Sequence, residues 1–153
     1  MSIHIENRQN AFQPRLRHIR AVVKRILSHL KRPDMEIGIV FVHDAEIHEM
    51  NRRYLSRNYA TNVLSFSMQE GAFSSINPSL LGDIVISVDT AVRDSERGGV
   101  SVEDEIDYLL IHGMLHLLGY DHERSGEEAA TRMKEMQQAL FLEIKGYALE
   151  RQL

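Results

Sequence analysis

The segment HGMLHLLGYDH, residues 112–122, carries three histidines inside an otherwise apolar stretch of the chain. His112 and His116 are four residues apart, so on a helix their rings project from one face about one turn apart. Gly119 can end that helix and adopt backbone conformations that a Cβ would penalise, which allows the chain to bring His122 toward the same point. The spacing therefore predicts a metal site built from these three imidazoles.

The same spacing matches the metzincin protease pattern H-E-x-x-H-x-x-G-x-x-H at every position but one. Three neutral imidazoles leave the fourth tetrahedral position to water, as in a catalytic zinc site. Peptidases with this pattern carry a glutamate directly after the first histidine. It acts as general base and raises the reaction rate about 10²–10⁴-fold. This chain has Gly113 at that position. Peptide hydrolysis is therefore disfavoured, and metal-assisted hydrolysis of a phosphodiester stays open. The catalytic group would be a metal-bound water, with no side chain identified as general base; Asp121 either orients an imidazole or is an ordinary turn residue.

The whole chain, residues 1–153, is predicted to form a single domain, because 153 residues can bury one core and are too few for two. It contains no cysteine, which excludes disulfides and thiolate metal sites. The start MSIHIENRQ lacks the pattern of a signal peptide, and no apolar run is long enough to span a membrane. We therefore expect a cytoplasmic location and no membrane partner.

Charge is distributed unevenly along the chain. Residues 1–57 hold 11 Lys+Arg and 6 Asp+Glu, a balance of +5, whereas residues 58–153 hold 7 and 16, a balance of −9. Such a difference in charge between two parts of a chain is typical of proteins that bind a polyanion, such as RNA, on a basic face. The alternative is that the basic residues between positions 15 and 32 simply solvate the outer face of one helix.

Hydrophobic periodicity predicts an α+β fold, in which a small mixed sheet of about four strands packs against several helices. Asp44 and Ser101 are expected to cap the helices that follow them, and Gly119 to end the helix that carries the first two histidines. The predicted strands are 2–6, 35–42, 62–68 and 80–87, the predicted helices are 14–32, 44–54, 88–97, 101–118 and 125–146, and 69–79 is a polar loop.

Three segments together resemble the YbeY endoribonucleases, which are rRNA maturation factors: HGMLHLLGYDH, NRRYLSRNYATNVLSF (51–66) and LGDIVIS (81–87). The resemblance implies a zincin-like fold with one Zn²⁺ per chain on His112, His116 and His122. It also implies a metal-dependent endoribonuclease specific for single strands, which acts in ribosome biogenesis, in 16S rRNA 3′-end maturation and in small-subunit quality control. The implied partners are rRNA, the small ribosomal subunit and ribosome-associated proteins, with no DNA.

One position departs from the family pattern. Family members usually carry an RNA-contacting arginine after the tyrosine of N-x-x-Y-R, but this chain has Leu55 after Tyr54. Arg53 and Arg57 are candidates to supply the missing charge, although the alternative for both is a solvated helix end. Asp83, in a predicted strand, is expected to be structural, and the loop 69–79 either closes over a bound strand or is disordered.

Two other functions stay open. The protein could be a non-catalytic ribosome assembly factor with a structural zinc, which the missing base and Leu55 favour. It could also be a metallohydrolase of a substrate other than RNA, although no residue of the sequence supplies a base for that reaction.

Overall fold

The computed structural model describes residues 2–56, 61–68, 79–120 and 126–149. The predicted α+β class is confirmed, and every predicted element is present with bounds that differ by a few residues. The predicted loop 69–79 lies outside the described residues except for its last position. The elements, in chain order, are β1 (Ile3–Asn7), α1 (Leu16–His29), β2 (Glu36–Val42), α2 (Asp44–Leu55), β3 (Val63–Ser67), β4 (Leu80–Ser87), α3 (Val88–Gly98), α4 (Val102–Leu117) and α5 (Gly126–Lys145).

The four strands form one mixed sheet in the order β1-β2-β4-β3. β1, β2 and β4 run parallel, and β3 runs antiparallel to β4. β2 is paired on both sides and apolar on both faces, as its β-branched sequence predicts for a central strand. β3 has β4 as its partner in this sheet and forms one of its two edges.

The two faces of the sheet carry different layers. One face packs against α1, α4 and α5 and holds the main core, whereas α2 covers part of the other face with a small cluster around Ile47 and Val85. α4 lies in the middle of the main core, because eleven of its sixteen residues are buried. A helix held on most of its surface gives the side chains that it carries a fixed position.

The starts of α2 and α3 are joined by an exchange of hydrogen bonds, in which each helix provides a carboxylate that accepts from the other. The prediction that Asp44 caps α2 is wrong, since Asp44 is the first helical residue and its N–H donates to the Asp89 carboxylate of α3 over 2.9 Å. The Asp44 carboxylate instead accepts hydrogen bonds from the hydroxyls of Ser87 and Thr90, each over 2.6 Å. The exchange is possible because β2 and β4 are parallel neighbours, so the helices that follow them start side by side.

The cap predicted for α4 is confirmed. The Ser101 hydroxyl accepts the N–H of Asp104 over 3.1 Å, and the acidic first turn lies at the positive end of the helix dipole. Within the described ranges, no helix has the length and apolar character needed to cross a bilayer.

Candidate metal centre

The rings of His112 and His116 face each other on α4. Their Nε2 atoms are 3.0 Å apart, and the ring centroids are 4.5 Å apart with planes inclined by 70°. Both side chains are half-buried, while most of the residues around them on the helix are buried. The predicted i, i+4 arrangement is therefore present, with two imidazole nitrogens directed at one point on the protein surface.

The separation of these nitrogens fits a shared metal ion. Two ligand nitrogens about 2.0–2.1 Å from a tetrahedral zinc lie about 3.3 Å apart, so the observed 3.0 Å needs only a small ring rotation. It also fits a hydrogen bond between neutral rings. His122 and Asp121 lie outside the described residues, and the residues that are described contain no group of three potential metal ligands. The three-histidine site therefore stays a prediction.

The structure gives a physical reason for glycine at position 113. Gly113 is buried, and a Cβ built on it would lie 3.1 Å from both Cδ1 and Cγ2 of Ile84 in β4. α4 thus approaches the sheet so closely at this point that a side chain here, such as the glutamate of the protease pattern, would have to displace Ile84 or the backbone around it. The remaining carboxylates of α4 lie in its first two turns, between Glu103 and Asp107, so α4 places no carboxylate beside the histidine pair.

Edge strand β3 contacts the same turn of α4. The hydroxyl of Ser65 donates to the carbonyl oxygen of Gly113 over 3.2 Å, which ties the strand to the residue after His112. Ser65 was not among the residues that the sequence indicated for the site. The alternation in VLSFS could have indicated it, because it places Ser65 and Ser67 on one face of the strand, the face that meets α4, and Phe66 on the opposite face.

The turn after His116 has the geometry predicted for Gly119. Gly119 has φ +91°, and its N–H donates to the carbonyl of His116 over 3.1 Å. The N–H of Tyr120 donates to the carbonyl of Leu115 over 3.0 Å. These two bonds form a Schellman motif, which closes the helix and redirects the chain immediately after the second histidine.

The arginines near the end of α2 differ in their surroundings. Arg52 makes a two-pronged ion pair with Glu49, whereas the side chain of Arg53 is exposed and has no ion pair among the described residues. Arg57 lies outside those residues. Leu55, where the resemblance predicts arginine, is 41% exposed. Of the two candidates for the missing charge, the structure places Arg53 in solvent.

The comparisons with known proteins agree with one another. The family profile described as "Endoribonuclease YbeY" matches residues 4–145. The chain belongs to the YbeY family. It is 52% identical to "Endoribonuclease YbeY" of Syntrophus aciditrophicus over 98% of this chain and 94% of the relative, and 48% identical to that of Syntrophotalea carbinolica over 94% and 95%. The solution structure of TM1509 from Thermotoga maritima shares the fold, with TM-score 0.64 and 23% identity over 94% of this chain and 89% of that one.

The basic face of α1 is partly used inside this YbeY family member. Arg15 forms a two-pronged pair with Glu103 of α4, Arg20 donates to the carbonyl of Ile3 in β1, and Arg25 donates to two carbonyls at the end of α5. These three arginines fasten neighbouring elements to α1. The side chains left exposed without such contacts, among the described residues, are those of Arg17, Lys24, Lys31 and Arg32.

A cavity of about 610 Å³ opens beside the turn that ends α4. Its wall includes Gly119 and Tyr120 of that turn, together with the side chains of Arg32 and Arg132. Arg32, one of the basic residues between positions 15 and 32, therefore lies beside the turn that follows the histidine pair. The sequence had indicated Arg53 and Arg57 as RNA contacts, and Arg32 was not among those candidates.

A buried ionic group fixes α4 on its other side. The carboxylate of Asp107 is fully buried and accepts hydrogen bonds from His18 of α1 at 2.8 Å and from Lys145 of α5 at 2.6 Å. Burial raises the pKa of Asp107, against the opposing effect of Lys145 and His18. Asp107 was missed from the sequence, because an aspartate in the acidic first turns of a helix reads as part of a solvated end.

Asp83 lies away from the histidine pair, and its expected structural role stays a prediction. Its side chain is exposed and lies over Gly38 on the face of the sheet opposite to α4, whereas the next residue, Ile84, faces Gly113. Asp83 is therefore separated by the sheet from the histidine pair.

Proposed function

We propose that this protein is a metal-dependent endoribonuclease that cleaves single-stranded RNA during ribosome biogenesis. Membership of the YbeY family supports the reaction class, and the convergent Nε2 atoms of His112 and His116 are the observation that carries the proposal. Within that class we propose maturation of the 16S rRNA 3′ end and quality control of the small subunit as its tasks.

We propose one Zn²⁺ per chain, held by His112, His116 and His122. A zinc ion bound by neutral imidazoles supplies Lewis acidity and lowers the pKa of a coordinated water toward about 7. The protein holds the first two imidazoles on the rigid helix α4, and the Schellman turn at Gly119 ends that helix three residues after His116. α4 places no carboxylate beside the histidine pair, and we propose that solvent or the substrate's own groups accept the proton.

The substrate strand is proposed to be held by cationic side chains. Arg53 offers an exposed guanidinium in the last turn of α2, and Arg32 offers another at the cavity beside Gly119. Arg57 is a further candidate from the sequence. Contacts of this kind bind phosphate regardless of base, so they hold and position the strand without reading its sequence.

The proposed location is the cytoplasm, and the proposed partners are rRNA, the small ribosomal subunit and ribosome-associated proteins. The proposal is supported by the family, by the lack of cysteine, and by the basic balance of residues 1–57.

The deciding experiment measures metal content and RNA cleavage on the same preparation before and after chelation. We expect about one zinc per chain, and loss of both zinc and cleavage on chelation and in His116→Ala. His4→Ala is the matched control, because His4 is an exposed histidine of β1 and should leave both unchanged. Cleavage that persists in His116→Ala at the parent rate, after removal of trace nucleases, would contradict the proposal.

A non-catalytic assembly factor with a structural zinc is the second candidate, and Leu55 is the observation that favours it. This function predicts metal binding, rRNA binding and no cleavage by the purified protein. Leu55→Arg restores the charge that the family pattern contains and, at this exposed position, should strengthen RNA binding and steepen its salt dependence by about one phosphate contact. If Leu55→Arg cleaves RNA and the parent does not, the protein has lost the activity of its family.

A further inference from the structure

Among the residues that the structure describes, Tyr54 is the most exposed large hydrophobic side chain. It lies in the last turn of α2, is 60% exposed, and touches Phe66 of β3 edge-to-face, with ring centroids 5.9 Å apart and planes inclined by 80°. In such a contact at least one face of the tyrosine ring points away from its partner. The ring therefore offers an open π-face, which contributes little to the core.

This ring lies across edge strand β3 from the histidine pair. Phe66, which supports Tyr54, is the neighbour of Ser65, and the Ser65 hydroxyl is bonded to the carbonyl of Gly113 directly after His112. Adjacent residues of a strand point to opposite faces, so Tyr54 and the histidines lie on the two sides of one strand. β3 forms an edge of the sheet, so Tyr54 and the histidine pair flank the same sheet edge.

The charges at the end of α2 and on this face of the sheet favour a nucleic acid strand over an apolar partner. Arg53, the residue before Tyr54, has an exposed guanidinium without an ion pair among the described residues, and it points about 100° around the helix from Tyr54. Asp83 is paired with Phe66 in the β3–β4 register and exposes a carboxylate on the same face. An arginine attracts phosphate, and a carboxylate repels it but can accept an N–H from a base edge. The strand is thereby directed with its phosphates toward Arg53 and a base on Tyr54.

We propose that Tyr54 is a stacking surface for one base of the single-stranded RNA, and that this contact helps to confine the enzyme to unpaired strands. The proposal rests on the proposed function. A base is available to a flat aromatic side chain only where it is not already stacked and paired, which is the way proteins usually recognise single-stranded RNA. Tyr54 is a positioning residue, since it lies on the opposite side of β3 from the histidines.

The test measures binding of a fluorescent single-stranded RNA oligomer by anisotropy, with the RNA checked for integrity on a gel. Tyr54→Leu removes the π-face and keeps an apolar contact to Phe66, and its Kd should rise about tenfold. Tyr54→Phe keeps the ring and should bind like the parent. The salt dependence of binding should stay unchanged in both variants, because no phosphate contact is lost.

Tyr147 provides a matched control. It is an exposed tyrosine that also contacts a phenylalanine edge-to-face, Phe141 at 5.2 Å, but its hydroxyl bonds to Asp104 near the opposite end of α4 from the histidines. Tyr147→Leu should therefore leave the Kd for RNA unchanged. An oligomer with abasic sites should bind the parent about as weakly as Tyr54→Leu binds the intact oligomer, and Tyr54→Leu should hardly distinguish the two.

Three results would overturn this inference. Equal Kd values of the parent and Tyr54→Leu for intact RNA would refute the stacking contact without contradicting the proposed function. Failure of the parent itself to bind RNA would refute both. Unchanged RNA binding with weakened binding of Tyr54→Leu to small ribosomal subunits would show that the ring contacts a ribosomal protein instead.

Discussion

Replacing Gly113 by alanine adds a single methyl group where α4 meets β4, and two opposing effects decide the result. Alanine is favoured over glycine inside a helix by about 0.5–1 kcal/mol. The added Cβ, however, would lie 3.1 Å from Cδ1, 3.1 Å from Cγ2 and 3.3 Å from Cγ1 of Ile84. Ile84 is fully buried and β-branched, so few rotamers are open to it, and relief of the contact requires its side chain, the strand or the helix to move by a few tenths of an ångström.

Overpacking of this kind costs about 1–3 kcal/mol. We therefore expect Gly113→Ala to lower the free energy of unfolding by a net of about 1–2 kcal/mol, and Tm by about 3–6 °C for a chain of this size. The assay is thermal and urea unfolding followed by circular dichroism. It is done in chelator throughout, because any metal bound only by the folded state would add its own stabilisation.

The change in free energy of unfolding that Gly113→Ala causes should reverse its sign when Ile84 is truncated. Ile84→Ala alone should cost about 2–5 kcal/mol through the cavity that it leaves. In that background Gly113→Ala should stabilise, since the clash is gone and the helix preference remains. If Gly113→Ala raises Tm in the parent, or has the same effect in both backgrounds, the close approach of α4 to Ile84 is not what requires glycine here.

Three further predictions concern other parts of the molecule. Asp44→Asn should destabilise the protein by about 1–3 kcal/mol near pH 7, because the carboxylate accepts charge-assisted hydrogen bonds at the start of α3. Burial tends to raise the pKa of Asp44, but the hydrogen bonds that it accepts hold it below its ordinary 3.8. The stability that the carboxylate contributes is thus complete above pH 3.8. It is lost as the pH falls through the lower pKa that Asp44 has in the folded protein, so the free energies of unfolding of parent and variant, measured with urea, should converge in acid. Ser101→Ala should cost about 1 kcal/mol by loss of the α4 cap, measured as a shift in urea midpoint at unchanged m-value. Arg53→Ala with Arg57→Ala should weaken RNA binding across sequences and flatten its salt dependence while zinc content stays unchanged; binding and cleavage like the parent's would remove both residues from the RNA surface.

The sequence by itself determined the elements of this protein and the pairing of two of its histidines. The Ser101 cap, the Gly119 turn and the i, i+4 placement of His112 and His116 all depend on contacts within a few residues along the chain. Local periodicity therefore contains the information needed to predict them. The single-domain prediction and the third ligand, His122, stay predictions.

Contacts between distant parts of the chain were decided only by the tertiary structure. Asp44 binds the start of α3 instead of capping its own helix, and Asp107 pairs with groups 89 and 38 residues away. Whether a charged side chain holds elements together or faces solvent depends on which helix packs beside it, and the 3.6-residue period does not encode that neighbour. The same reason accounts for Gly113. The sequence showed that the glutamate was missing, and only the packing of α4 against Ile84 showed that a side chain at this position would crowd the sheet.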